Sequence, residues 1–221
     1  MAFLNIENVS KSFDGNSIIE HTSIVVNSGD TIALVSPSGS GKSTMLSMAG
    51  LLLAPDEGTI TTEGGTNTLT LADAELSLLR QKLIGFVFQS TQLVGSLRAI
   101  ENVKAPANFV AEKLDFNPEE RAAELLERFG LKDRMYHYPH QLSVGQKRRI
   151  AVARAMLLEP KIIIADEPTN DLDEESAAEV ANALFEYAQQ GHALLYATHI
   201  SSLASKAETI MKMHGKTFKE D

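Results

Sequence analysis

The chain contains no cysteine. That excludes disulfides, thiolate-held metals and thiol catalysis, and it suits a cytoplasmic protein. No apolar run comes near the ~18–20 residues needed to span a bilayer, and Met1–Glu7 lacks the basic and apolar regions of a signal peptide. Basic residues are few: 20 Lys and Arg stand against 29 Asp and Glu, a formal charge of −9. A general nucleic-acid binder would usually present a basic face, so that class is disfavoured. Low-complexity segments and internal repeats are missing as well. What is left is ordinary globular material: 221 residues, 43% hydrophobic and 22% charged. That length accommodates one large domain with a substantial core and room for an inserted subdomain.

The most informative stretch is Ser36-Pro37-Ser38-Gly39-Ser40-Gly41-Lys42-Ser43-Thr44. It follows the apolar run Thr31–Val35 and leads into Met45–Gly50, which reads as buried strand, small-residue loop and helix. A phosphate chain needs many donors held close together. Gly39 and Gly41 let the backbone curl so that successive N–H groups point inward. The helix that follows adds its free amides and the positive end of its dipole. Lys42 offers a point charge to the β- and γ-phosphates, and the Ser43 hydroxyl can ligate Mg²⁺. The spacing fits G-x-x-x-x-G-K-[ST] except at position 36, which is Ser. The alternative is a Ser-rich surface turn containing Gly-Lys-Ser by chance.

The flanking sequence argues against chance. Ahead of the loop, Phe3, Ile6 and Val9, a turn at Asp14-Gly15-Asn16, and apolar residues to Val26 predict short antiparallel strands. Phe13, beside that turn, can pack into a core or offer a flat face to a purine. After the loop, Asp73 is expected to cap a helix carrying Leu76, Leu79 and Leu83. Ile84–Phe88 reads as a strand ending in Gln89. From about residue 90 to 160 the signals are helical. Asn117-Pro118-Glu119-Glu120 opens one helix and Gly130 stops it. Ser143 caps another, which carries Arg148, Arg149 and Ile150. Lys161–Ala165 is the best central strand, ending in Asp166-Glu167. Asp173 or Ser176 opens the next helix, and His192–Thr198 is a strand ending in His199. Thr209–Lys216 signals a hairpin.

Strand–helix alternation predicts parallel strands with helices on the faces and ligands at the carboxyl strand ends. The phosphate loop, Gln89, Asp166, Glu167 and His199 all stand at such ends. Adjacent strand residues point apart, so Asp166 is expected to face Mg²⁺ and Glu167 the attacking water. His199 can hydrogen-bond the γ-phosphate. The other histidines read as surface or turn residues. Leu142-Ser143-Val144-Gly145-Gln146 is a second anion-friendly helix start. It is either a plain capped helix or a cradle for phosphates bound by another subunit, which would sandwich two nucleotides between two chains.

Together these motifs resemble the nucleotide-binding subunit of ATP-binding-cassette (ABC) transporters over nearly the whole chain. The resemblance implies a P-loop NTPase core of α/β class, with a mainly parallel sheet, an N-terminal antiparallel β subdomain and an inserted helical subdomain. It implies a single ABC ATPase domain over 1–221, with 1–89 and 161–221 as catalytic core and 90–160 as the helical part. By the same resemblance Phe13 stacks on adenine and Ser36 to Thr44 form the Walker A loop. Gln89 senses Mg²⁺ and the membrane subunit. Leu142 to Gln146 form the signature, contacting ATP on the opposite chain through Ser143, Gly145 and Gln146. Ile162 to Asp166 form Walker B, Glu167 is the catalytic carboxylate, Asn170 to Asp173 the D-loop and His199 the switch histidine. Gly85–Gln89, Ile100–Val103, Tyr138-Pro139 and Glu167–Thr169 look like the bacterial lipoprotein-releasing and macrolide-exporter branch. Ser36, Val144 and the Asn170–Asp173 sequence depart from the usual pattern. The implied function is an ATPase that dimerises around two Mg-ATP and drives an integral membrane permease, from a cytoplasmic, peripheral position on the inner face of the membrane. Signal transmission through a membrane partner without transport is the alternative. The implied docking segment is Gln89–Val103, and the extra C-terminal regulatory domain of some sugar importers is not expected.

Overall fold

The structure is a computed structural model that describes residues 2–37 and 39–221. Alternating burial of Leu4, Ile6 and Val9 turns one face of β1 (Ala2–Phe13) inward. It pairs antiparallel with β2 (Asn16–Asn27) and β4 (Glu57–Thr62), and β5 (Thr66–Asn67) completes a sheet of order β2-β1-β4-β5. The strands expected to be short are twelve residues each. Bulges let them stay paired over that length: the register shifts between Ile6 and Val9, where Asn8 takes a left-handed φ of 51°.

The second sheet collects the fully apolar runs. Its strands are β3 (Thr31–Val35), β6 (Ile84–Val87), β7 (Ile162–Asp166), β8 (Ala193–Thr198), β9 (Thr209–His214) and β10 (Thr217–Glu220). The order is β10-β9-β3-β8-β7-β6, parallel throughout except for the terminal β9–β10 hairpin. β7 and β8 are covered on both faces, which is why they read as continuous apolar runs. Ile162, Ile164, Leu195 and Ala197 face α1 (Lys42–Ala49) and the antiparallel sheet. Ile163, Ala165, Leu194 and Tyr196 face the opposite way, toward α5 (Val144–Met156) and α6 (Glu174–Gln189).

α2 (Asp73–Leu83) leads into β6, and α7 (Ser201–Ala204) joins β8 to β9. Between β6 and β7 lie α3 (Ala99–Lys104), α4 (Pro118–Arg128) and α5, which pack on one another. α4 starts as its sequence demands: the Asn117 side chain accepts from the Glu119 amide, with Pro118 in the first helical position. Its Leu126 is fully buried, and Gly130 follows with φ 67°. The start of α2 corrects an expectation. Asp73 is its first residue and Ala72 its cap, because the Glu75 carboxylate accepts the Ala72 amide and leaves Asp73 no capping task. His192 is likewise no plain surface residue: it stacks on Tyr187 at 3.9 Å between ring centres. Among the described residues no helix is long and apolar enough to cross a membrane.

Candidate active site

The parallel register places four strand ends side by side. Val35 of β3 is level with Thr198 of β8, Ala197 with Asp166 of β7, and Ala165 with Val87 of β6. The phosphate loop, His199, Glu167 and the Gln89 turn therefore line one sheet edge in that order. A cavity of about 280 Å³ opens there. Phe13, Gly39, Gly41, Lys42, Ser43 and Thr44 line one side, and Gln89, Asp166 and Glu167 the other. Ile18 also lines it; nothing in its β-strand pattern distinguishes it as a site residue.

The loop's shape explains its residues. Gly41 has φ 107°, and a Cβ there would lie 2.9 Å from both Ile18 Cγ2 and Ile19 Cδ1. Position 36 carries no such demand, since Ser36 is not among the residues with positive φ. Its buried hydroxyl instead hydrogen-bonds the Ser40 hydroxyl, which, while donating to the Pro37 carbonyl, accepts from Ser36. Serine thus closes the loop across its mouth where glycine was expected. Ser38 lies outside the described residues. α1 begins at Lys42, and its first intrahelical bond is Met45 N–H to the Gly41 carbonyl at 2.9 Å. The amides of Lys42, Ser43 and Thr44 are therefore free of helical partners and open to an anion.

Lys42 is buried. Its Nζ donates to the carbonyls of Ser36 at 2.7 Å and Pro37 at 3.1 Å and lies 3.6 Å from Glu167 Oε1. The Ser43 hydroxyl donates to Asp166 Oδ2 at 2.6 Å, across 123 positions of sequence. A hydroxyl beside one carboxylate is the hard-oxygen donor set that Mg²⁺ takes together with substrate phosphates, so these residues fit a Mg-nucleotide. Asp166 and Glu167 do turn to different partners, but for another reason than strand alternation. β7 ends at Asp166, and Glu167 adopts a left-handed φ of 47°, its amide donating to the Ala197 carbonyl at 3.1 Å. Such strain in a non-glycine residue persists only where surroundings over-determine it. The turn aims the carboxylate at Lys42 on one side and at His199 Nδ1, 2.8 Å away, on the other. His199, expected against phosphate, lies beside Glu167 first.

Ser143, Gly145, Gln146 and Asp173 do not line this cavity. Ser143 and Gln146 satisfy one another as a reciprocal cap: the Gln146 amide donates to Ser143 Oγ, and the Ser143 amide to Gln146 Oε1. Asp173, not Ser176, caps α6, and the Ser176 amide holds its carboxyl below the usual Asp range. Gly145 has a packing role inside its own chain. A Cβ there would meet Ser176 Oγ at 2.5 Å and Ser176 Cβ at 2.9 Å. Ser176 is fixed by its bond to Asp173 and cannot retreat cheaply. Gly145→Ala is therefore expected to lower stability by about 1–3 kcal/mol, with part of the loss recovered in the Gly145→Ala/Ser176→Gly double variant. Urea unfolding of the three proteins measures this, and an unmoved midpoint for Gly145→Ala would refute the contact.

Two residues with a bearing on the site were visible in sequence only as helix positions. Arg148 and Arg154 of α5 reach back to the carbonyls around Gln89. The available signal was two arginines set among Ile, Val and Ala on a buried helix.

The ABC transporter family profile matches residues 19–170. The chain is 37% identical to the lipoprotein-releasing system ATP-binding protein LolD of Bacteroides thetaiotaomicron, over 99% of this chain and 100% of that one. It is 37% identical to a macrolide export ATP-binding/permease protein, MacB 1 of Yersinia pestis, over 96% of this chain but 33% of that longer one. Among solved structures, the ATP-binding cassette MJ0796, a dimer in a post-hydrolysis state bound to ADP and Pi, superposes with a TM-score of 0.90 at 32% identity, covering 99% and 97% of the two chains. With the strand-edge cavity and these likenesses together, the chain belongs to the ABC transporter family, as an ATP-binding, ATP-hydrolysing cassette of α/β P-loop fold.

Proposed function

We propose that this cassette dimerises around two Mg-ATP and couples hydrolysis to a separate integral membrane permease, for export or extraction of a substrate. The observation that carries the reading is the Ser43–Asp166 contact beside a buried Glu167, set over a phosphate loop on one strand edge. In this reading Phe13, 45% exposed at the cavity rim, stacks on adenine. Ser36, Pro37, Ser38, Gly39, Ser40, Gly41, Lys42 and Thr44 cradle the phosphates. Ser43 and Asp166 hold Mg²⁺, with Gln89 completing that side. Bound Mg²⁺ neutralises charge on the phosphate oxygens. Glu167 orients a water and accepts its proton, and His199 fixes the Glu167 carboxylate. Ser143, Gly145, Gln146 and Asp173, outside the cavity, serve the nucleotide of a second copy; the dimeric state of MJ0796 supports that arrangement. Residues 1–89 and 161–221 act as the catalytic core and 90–160 as the helical subdomain.

The permease is expected on the face next to Gln89. A second cavity of about 420 Å³ there is lined by Phe86, Phe88, Gln92, Pro106 and Phe109, and Phe109 is 78% exposed. MacB, whose name joins an ATP-binding part to an export permease, supports a partner in the membrane, and a position on the inner face belongs to the same proposal. Affinity purification from membranes is expected to recover one polytopic membrane protein with the parent. Phe109→Glu should lose that protein yet keep ATP-dependent dimers, because so exposed a side chain contributes little to the fold. Recovery of the same partner by Phe109→Glu would count against this surface.

A further inference from the structure

The segment after β6 has no regular structure to hold it. Residues 88–92 belong to no helix or strand, and Gln92 sits at a left-handed φ of 44°. Among the described residues, no backbone–backbone hydrogen bond reaches residues 89–92. Helix α5 supplies what is missing. Arg148 Nη1 donates to the Phe88 carbonyl and Nη2 to the Gln89 carbonyl, both at 2.7 Å. Arg154 Nη1 donates to the Gln92 carbonyl and Nη2 to the Thr91 carbonyl, both at 3.0 Å. Two planar forks thus hold four of five consecutive carbonyls, a task that suits guanidinium and not ammonium.

Arg148 is the costlier of these contacts to maintain. It is 3% exposed, and its Nε finds no partner among the described residues. Burial pushes its guanidinium pKa down, and the charge of Asp171 opposes that only in part. A buried cation of this kind is weak evidence for stability and better evidence for a fixed arrangement. Five residues before Arg148, the same helix starts at the capped Ser143.

We propose that Arg148 is a positioning residue that ties the Gln89 turn to the helix start at Ser143, so that the two move as one body. The functional consequence rests on the reading of Gln89 and Ser143 given above. Gln89 attends this chain's nucleotide and Ser143 the second copy's. A rigid link between them makes the state of one site felt at the other, without passing through β6.

The test uses the full chain and its Arg148→Met and Arg148→Lys variants. In Arg148→Met, cleavage by a non-specific protease between residues 89 and 92 should run about tenfold faster or more, while the hydrogen-bonded amides of Ile162–Ala165 keep their parent exchange rates. The Mg²⁺ concentration giving half-maximal hydrolysis should rise about tenfold, within the range of ordinary site coupling, with nucleotide affinity in EDTA changed less than about twofold. Arg148→Lys, which keeps the charge but not the fork, should fall between parent and Arg148→Met. Parent-like cleavage between residues 89 and 92 in folded Arg148→Met overturns the proposal. If Arg148→Met also loses protection at Ile162–Ala165, cleavage between residues 89 and 92 in Arg148→Lys decides, faster cleavage supporting the tie and the parent rate refuting it. Faster cleavage with an unchanged Mg²⁺ requirement upholds the tie and overturns the role given to Gln89.

Discussion

Glu167→Gln protein is expected to hydrolyse ATP about 10²–10⁴-fold more slowly than the parent, the span that a positioned proton acceptor contributes, while still pairing in the presence of ATP. An amide has the shape of the carboxylate but does not take a proton from water at neutral pH. The surroundings allow the exchange without collapse. Lys42 loses an ion partner at 3.6 Å but keeps its bonds to the Ser36 and Pro37 carbonyls. The Glu167 amide still donates to the Ala197 carbonyl, so the left-handed turn keeps its anchor. Gln also retains an oxygen for His199 Nδ1, whose tautomer can donate to it. The loss should therefore appear in turnover and not in folding. Phosphate release and size-exclusion chromatography with Mg-ATP separate the two. Turnover equal to the parent's would remove Glu167 from the chemistry.

The site divides into what the sequence states locally and what only folding brings together. The loop from Ser36 to Thr44, the Asn117 and Ser143 caps and the apolar runs of β3, β7 and β8 are short-range features. Each depends on neighbours within a few residues, and each was legible. The shared strand edge was legible too, because alternation of strands and helices forces parallel pairing. The contacts that finish the site are long-range. Arg148 meets Gln89 across 59 positions and Ser43 meets Asp166 across 123, and no periodicity records such a pairing. Geometry at single residues was also hidden. Glu167 takes its aim from a backbone turn that glutamate rarely adopts, and Ser36 from a hydroxyl bridge that replaces nothing a glycine could do. Gly145 reads from sequence as a phosphate-facing residue, and the sequence does not show that a Cβ added there would meet Ser176 of the same chain. Its two roles differ in sequence reach: a capped helix start is local, whereas the α5–α6 approach is not.

Gly41→Ala is expected to lose both stability and nucleotide binding, and Gly39→Ala separates the causes. Both glycines have positive φ, 107° for Gly41 and 76° for Gly39, so alanine is strained at either position. That strain costs about 1–3 kcal/mol. Around Gly39 nothing lies within 4 Å of an added Cβ, so strain is the whole effect there. At Gly41 the added atom also lies 2.9 Å from Ile18 and from Ile19, and Ile19 is fully buried. Overpacking of that kind costs a further ~1–3 kcal/mol. If the backbone yields instead, it carries the start of α1 with it, because Gly41 accepts the first helical bond from Met45. The free amides of Lys42, Ser43 and Thr44 then lose their common aim at the phosphates. Gly41→Ala should accordingly unfold at clearly lower urea than Gly39→Ala and bind a fluorescent ATP analogue at least about tenfold more weakly than the parent, since ~1.4 kcal/mol already amounts to that factor. Equal unfolding midpoints for the two variants would mean that Ile18 and Ile19 yield freely, and that they do not set the curvature of the loop.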